Sequence, residues 1–149
     1  MIQRIQTIYL FLVTVCMVVM MALPVGNFIG ADMNVTELTN FSVIGSEGVL
    51  NHQPWALLAI LLLVAVLSFV TIFLFKKRML QIRLSLFSIV LLVGYYISLG
   101  VFVCLLKGDS SFSLSWTVCL PFASIVFEWL AIRGIGKDEM LVKAYDRLR

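Results

Sequence analysis

Four stretches of about twenty residues without strong charge constrain this chain more than any motif in it. A hydrocarbon layer about 30 Å thick takes roughly 20 residues of helix, and residues 5–23, 55–75, 84–106 and 116–132 each come close to that length. The first stretch stops at Pro24 and Gly26, both helix terminators, and Pro54 precedes the second, where its missing N–H costs nothing. Composition agrees: 62% of residues are hydrophobic and 13% charged, against about 45–50% and 25% in a soluble domain, which excludes a water-soluble fold. The expected fold class is all-α, a four-helix antiparallel transmembrane bundle within a single domain of 149 residues. The first stretch reads as a retained helix rather than a cleaved signal peptide. Its apolar run exceeds the usual span of about 7–15 residues, and Ile29-Gly30-Ala31 makes a poor cleavage site.

Placement of the bases sets the expected orientation. Arg4 precedes the first span, Lys76, Lys77, Arg78 and Arg83 lie between the second and third, and Arg133, Lys137, Lys143, Arg147 and Arg149 follow the fourth. Of 11 Lys and Arg only Lys107 falls on the other side, where residues 32–53 carry Asp32, Glu37 and Glu47 and no base. The positive-inside rule then places both termini in the cytoplasm, for a multi-pass protein of the cytoplasmic (inner) membrane. Trp55 and Trp116 would anchor the outer boundary, Tyr9 and Trp129 the inner one.

Outside the spans, the loop 31–53 holds Phe41-Ser42-Val43-Ile44 and Val49-Leu50 around Gly45-Ser46-Glu47-Gly48, the pattern of a small β-hairpin resting on the helix ends. Asn34-Val35-Thr36 and Asn40-Phe41-Ser42 match the N-glycosylation tripeptide, which arises often by chance and is expected to go unused here. The second outer loop, 107–115, reads as a connection only. In the tail, 133–149, Gly134 and Gly136 should interrupt the fourth helix. Leu141, Tyr145 and Leu148 then predict a short amphipathic C-terminal helix, lying on lipid headgroups or docking a partner.

Glu128 is the first functional suspect, because an ionisable group within a span is costly. An interhelical ion pair with Arg4, Arg78 or Arg83, or a carboxylate reaching interfacial water, is the plain expectation. A proton relay and a neutral buried acid are the alternatives. Tyr95 and Tyr96 complete the candidate intramembrane polar site, each phenol needing a partner, with Glu128 and Ser124 among the candidates. Gly94, Ser98, Gly100 and Cys104 would allow close helix approach, within the chain or between copies. Pro121 should bend the outer part of the fourth helix by freeing the carbonyl of Thr117. Cys16, Cys104 and Cys119 read as small core residues, although a Cys104–Cys119 bridge is geometrically open. His52 stands alone, so no metal site or catalytic pair forms around it, and no nucleotide-binding or hydrolase motif is present. No catalytic residue, cofactor or nucleic-acid partner is expected.

The ends and the middle basic segment carry a resemblance. Met1-Ile2-Gln3-Arg4-Ile5-Gln6-Thr7 with Tyr9-Leu10, then Leu80-Gln81-Ile82-Arg83, then Lys137-Asp138-Glu139 with Leu141-Val142 and the closing Asp146-Arg147-Leu148-Arg149 together resemble a bacterial inner-membrane family, domain of unknown function number four-two-nine-three. The resemblance spans essentially the whole chain and implies a four-helix membrane protein, with no activity to carry over. The polar residues Gln3, Arg4, Gln6, Arg78, Gln81, Arg83, Lys137, Asp138 and Glu139 could form one collar at the inner face. The expected function is that of a non-enzymatic accessory or structural subunit working through this collar, against lipid and a membrane-protein partner or further copies of itself. The rival reading is a small oligomeric transporter or channel using Glu128.

Overall fold

The computed structural model describes residues 2–30, 34–44, 50–51, 54–74, 77–107 and 110–147. Side chains at residues 2–4, 50–51, 107, 143 and 145–147 lie outside that description. Four long helices dominate: α1 (Ile2–Ala22), α2 (Trp55–Phe73), α3 (Arg78–Lys107) and α4 (Cys119–Arg147). All four are long and apolar enough to cross a membrane.

A single spacing explains how they pack. The buried positions are Gln6, Leu10, Val13, Met17 and Met20 on α1, and Leu57, Leu61, Val64, Ser68 and Thr71 on α2. On α3 they are Gln81, Ser85, Ser88, Leu92, Tyr95 and Leu99, and on α4 Ser124, Glu128, Ala131, Ile135 and Asp138. Each series steps by three or four residues, the seam that keeps one helix face turned to its neighbours along its whole length. Accordingly α1 packs on α2 and α4, and α3 packs on the same two helices. The opposite faces are apolar and exposed, as at Phe11, Phe73, Val90, Ile97 and Phe122.

At one end of the helices sits a five-stranded antiparallel sheet, β1 (Gly26–Ile29), β2 (Val35–Leu38), β3 (Val43–Ile44), β4 (Leu50–Asn51) and β5 (Ser111–Leu114), in the order β4-β3-β2-β1-β5. The expected hairpin is its β3–β4 edge, with Val43 opposite Asn51 and Ile44 opposite Leu50. Two features go beyond that expectation. β1 begins directly after α1, and the second outer loop is no mere connection, since it supplies β5 and pairs with β1 from Gly26↔Leu114 to Ile29↔Ser111. Gly26 makes this approach possible: a Cβ there would stand 2.6 Å from Phe112 Cζ and from the Ser113 carbonyl. Phe28 and Phe112 then pack with ring centroids 4.8 Å apart. Phe28 and Leu38 turn inward and join the helix core through Val25, so the sheet shares one hydrophobic cluster with the helices.

Several boundaries depart from expectation. α3 starts at Arg78, so Arg78, Gln81 and Arg83 are helical and the α2–α3 connection is shorter than the basic run suggested. α4 continues unbroken to Arg147, and no separate amphipathic C-terminal helix follows it. Gly134 gives α1 room instead, since a Cβ there would meet Gln6 Cγ at 3.2 Å. A short 3-10 turn, Trp116–Val118, precedes α4 and leaves Pro121 in its first turn, where proline neither kinks nor breaks a helix. Cys104 and Cys119 are exposed free thiols rather than core residues, and Cys16 is half-buried. Gly94 and Gly100 have nothing within 4 Å of an added Cβ, so neither serves close packing within the chain.

Candidate functional site

The buried seams divide along their length. Toward the sheet they are Val13, Met17, Met20, Leu57, Leu61, Val64, Leu92 and Leu99. Away from it they include Gln6, Ser68, Thr71, Gln81, Ser85, Ser88, Glu128 and Asp138, all within 9% of complete burial, with Leu10, Ala131 and Ile135 among them. Polar residues at core positions are expensive unless hydrogen-bonded, so the partners of each matter.

Glu128 is fully buried where this polar half meets the apolar one. Ser68 Oγ on α2 donates to Glu128 Oε1 at 3.1 Å. Ser88 on α3 lies close enough to act on the same carboxyl, yet its Oγ closes no hydrogen bond of ordinary length. Glu128 Oε2 and Ser85 Oγ have no hydrogen-bond partner either. Among the described side chains no base pairs with Glu128, and hydroxyl contacts stand where an ion pair was expected. Arg83 is exposed, Arg78 lines a groove with Lys77 and Glu139, and the Arg4 side chain lies outside the described residues. Burial also excludes the carboxylate reaching interfacial water. Arg133, five residues further on, points outward and stacks on the Trp129 ring, 5.6 Å from its centroid.

Nearer the end opposite the sheet, Gln6 Nε2 donates to Asp138 Oδ2 at 2.8 Å, a buried bond between α1 and α4. Thr71 and Ser124 satisfy their hydroxyls on their own helices, donating to Leu67 O at 2.6 Å and Leu120 O at 3.0 Å. The expected collar is thus gathered in part. Gln6 and Asp138 bond directly, Gln81 is buried, and Arg78 and Glu139 share a groove with Met79, Leu80 and Val142. Arg83 and Lys137 are exposed. Gln3 and Arg4 have side chains outside the described residues, as does His52 altogether.

The two tyrosines belong elsewhere. Tyr95 donates to Asn40 Oδ1 at 2.7 Å, and Asn40 Nδ2 donates to the Met20 carbonyl at 2.6 Å. Asn40 is fully buried in this plug between the β2–β3 connection and the helices, so its glycosylation tripeptide cannot be used in the folded chain. Tyr96 donates to the Val118 carbonyl at 2.6 Å. Neither phenol reaches Glu128 or Ser124. They tie the sheet end to α3, a structural role.

Asn40, Ser68, Ser85 and Ser88 were not among the residues expected at a site. The signal of the three serines was present in the spacing: polar residues at three- and four-residue steps inside apolar helices, in register with the neighbouring leucines. Among the described residues no group of three or more His, Cys, Asp or Glu could hold a metal ion. No curated protein matches the chain. The resemblance at the two ends and the basic middle extends over nearly every residue between them: the family model described as Domain of unknown function (DUF4293) matches residues 2–148, and the chain belongs to that family.

Proposed function

We propose that this chain is an antiparallel four-helix bundle spanning the cytoplasmic membrane, with both termini cytoplasmic. It would act as a non-enzymatic accessory subunit through the end opposite the sheet. Membrane insertion is supported by the apolar side chains exposed along all four helices, a surface that a monomeric soluble protein rarely leaves in water. Orientation is supported by Lys77, Arg78, Arg83, Arg133 and Lys137, which gather at the end away from the sheet.

One observation carries the accessory role. α4 has 29 residues against 19 in α2, about 43 Å against about 28 Å of helix. Its last turns present Met140 at 76%, Leu141 at 53% and Val142 at 46% exposure. They stand beside the groove formed with Lys77, Arg78, Met79 and Leu80. Apolar side chains around the end of a projecting helix, flanked by bases, suit a membrane-protein partner lying at the headgroup level.

Crosslinking with mass spectrometry on full-length protein in lipid nanodiscs, purified at native expression level, tests this reading. A stoichiometric partner joined through Lys77 or Lys137 is expected. Partners joined only through the sheet end would overturn it. The buried Glu128 favours a second reading, a small oligomeric transporter. The apolar layers between Glu128 and the sheet close any route through one chain, so that reading needs a path between copies, and a proton-coupled flux lost in Glu128→Gln would promote it.

A further inference from the structure

Buried oxygen atoms without partners are rare, and a local group of them calls for a missing ligand. Here three occur within about one helical turn of one another along the seam. Glu128 Oε2, Ser85 Oγ and Ser88 Oγ have no hydrogen-bond partner, and their residues are 0%, 2% and 1% exposed. Ser88 faces the Glu128 carboxyl, Ser85 stands one turn along the same face of α3, and Ser68 already donates to Oε1. A carboxylate removed from water requires a proton or a counter-cation.

The described side chains supply no counter-cation. α2 turns Ser68 and Thr71 to the seam, and α1 turns Gln6 and Leu10. On α3 the nearest base, Arg83, is exposed, and on α4 Arg133 turns out to Trp129. The nearest acid on the seam, Asp138, already accepts from Gln6. A carboxyl with three hydroxyls is an all-oxygen set, the donor chemistry of small hard cations.

We propose that Glu128, Ser68, Ser85 and Ser88 form a binding site for one small hard monovalent cation, a proton carried with water or a sodium ion. The site exchanges with the end of the molecule that holds Gln6 and Asp138. Toward that end Thr71 and Gln81 place polar side chains among the buried Leu10, Ala131 and Ile135, whereas toward the sheet Leu61, Val64 and Leu92 fill the seam. It is a one-sided well, independent of whether a partner docks on α4.

The test is carbodiimide labelling of the full chain in nanodiscs. The reagent adds to a protonated carboxyl and leaves an N-acylurea whose mass and position are read by peptide mapping. One modified residue, Glu128, is expected, with no label at this position in Glu128→Gln. Labelling that falls about tenfold per pH unit above the titration, unchanged by sodium, identifies the proton. Labelling slowed about tenfold by sodium at ten times its dissociation constant identifies sodium. In Ser85→Ala/Ser88→Ala, whose carboxyl is intact, the sensitivity should shift by at least a few fold while labelling persists. A rate indifferent to both pH and sodium overturns the proposal. To cover poor reagent access, the carboxyl C=O infrared band lost in Glu128→Gln is followed directly. A band that responds to neither pH nor sodium overturns the proposal equally.

Discussion

The two halves of α3 place different chemistry on one face at one spacing. Toward the sheet the buried positions are Leu92, Tyr95 and Leu99, and away from it Gln81, Ser85 and Ser88. α1 and α2 divide at the same level, Val64 giving way to Ser68 and Val13 to Gln6 past the apolar Leu10, whereas α4 alternates, with Ser124, Glu128 and Asp138 set among Ala131 and Ile135. In the membrane setting proposed above, lipid tails are as apolar as leucine, so burying apolar surface among helices gains little by itself, and fit and hydrogen bonds would specify the arrangement. The sheet half does this by shape, interlocking Met17, Met20, Leu57 and Leu61 with the inward side chains of the sheet. The opposite half does it through polar pairs, and it carries the groups that remain unsatisfied. One half is built to stay shut. The other holds groups that can exchange with what lies outside.

Asn40 tests this division, an amide side chain locked within the apolar half. Asn40→Ala would strand the Tyr95 hydroxyl and the Met20 carbonyl in a dry core. With each orphaned group costing about 1–3 kcal/mol, a loss of about 4 kcal/mol is expected in reversible unfolding from mixed micelles. Recovery in Asn40→Ala/Tyr95→Phe would assign part of that loss to the phenol. Next in size is Leu61→Ala, in the middle of the apolar half and fully buried, where a packing void should cost about 3 kcal/mol by the same measurement. An effect below about 1 kcal/mol there would mean that this half is loosely packed, and the contrast would fail.

Gln6→Leu probes the polar half. It leaves Asp138 buried beside an alkyl group and should cost about 2 kcal/mol. Gln6→Leu/Asp138→Leu should regain most of it, because replacing both partners removes the desolvation penalty. Single and double losses of equal size would show that the pair does more than hold α1 against α4.

The four long apolar helices were legible because run length and charge are one-dimensional properties, and so was the gathering of bases at one end. The sheet was not. Its strands run two to four residues, and β5 joins β1 across more than eighty residues of sequence, so no local pattern announces the pairing. Gly134 and Gly136 read as helix breakers, yet packing against α1 holds α4 together, tertiary contact overriding propensity. Glu128 stood out as a charge, but its setting did not, because serine is too common within spans to draw notice singly. Only the shared register of Ser68, Ser85 and Ser88 with the leucine seams marks them as core.

The smallest expected effect separates two accounts of that register. Ser88→Ala removes a buried hydroxyl that closes no hydrogen bond of ordinary length within the protein. Were the layer dry, deleting an orphaned polar group would relieve a desolvation penalty and the protein would gain stability. With water or a cation in the layer, the same change deletes a ligand, and a loss of about 1 kcal/mol is expected. Leu92→Ala, four residues along the same face, provides the control, because both accounts predict a loss of about 2–3 kcal/mol there. The informative quantity is therefore the sign at Ser88 relative to the loss at Leu92, measured in the same lipid. A gain at Ser88 would make the polar half an unfilled defect in the packing, while a loss would make it an occupied chamber that the apolar half keeps closed on one side.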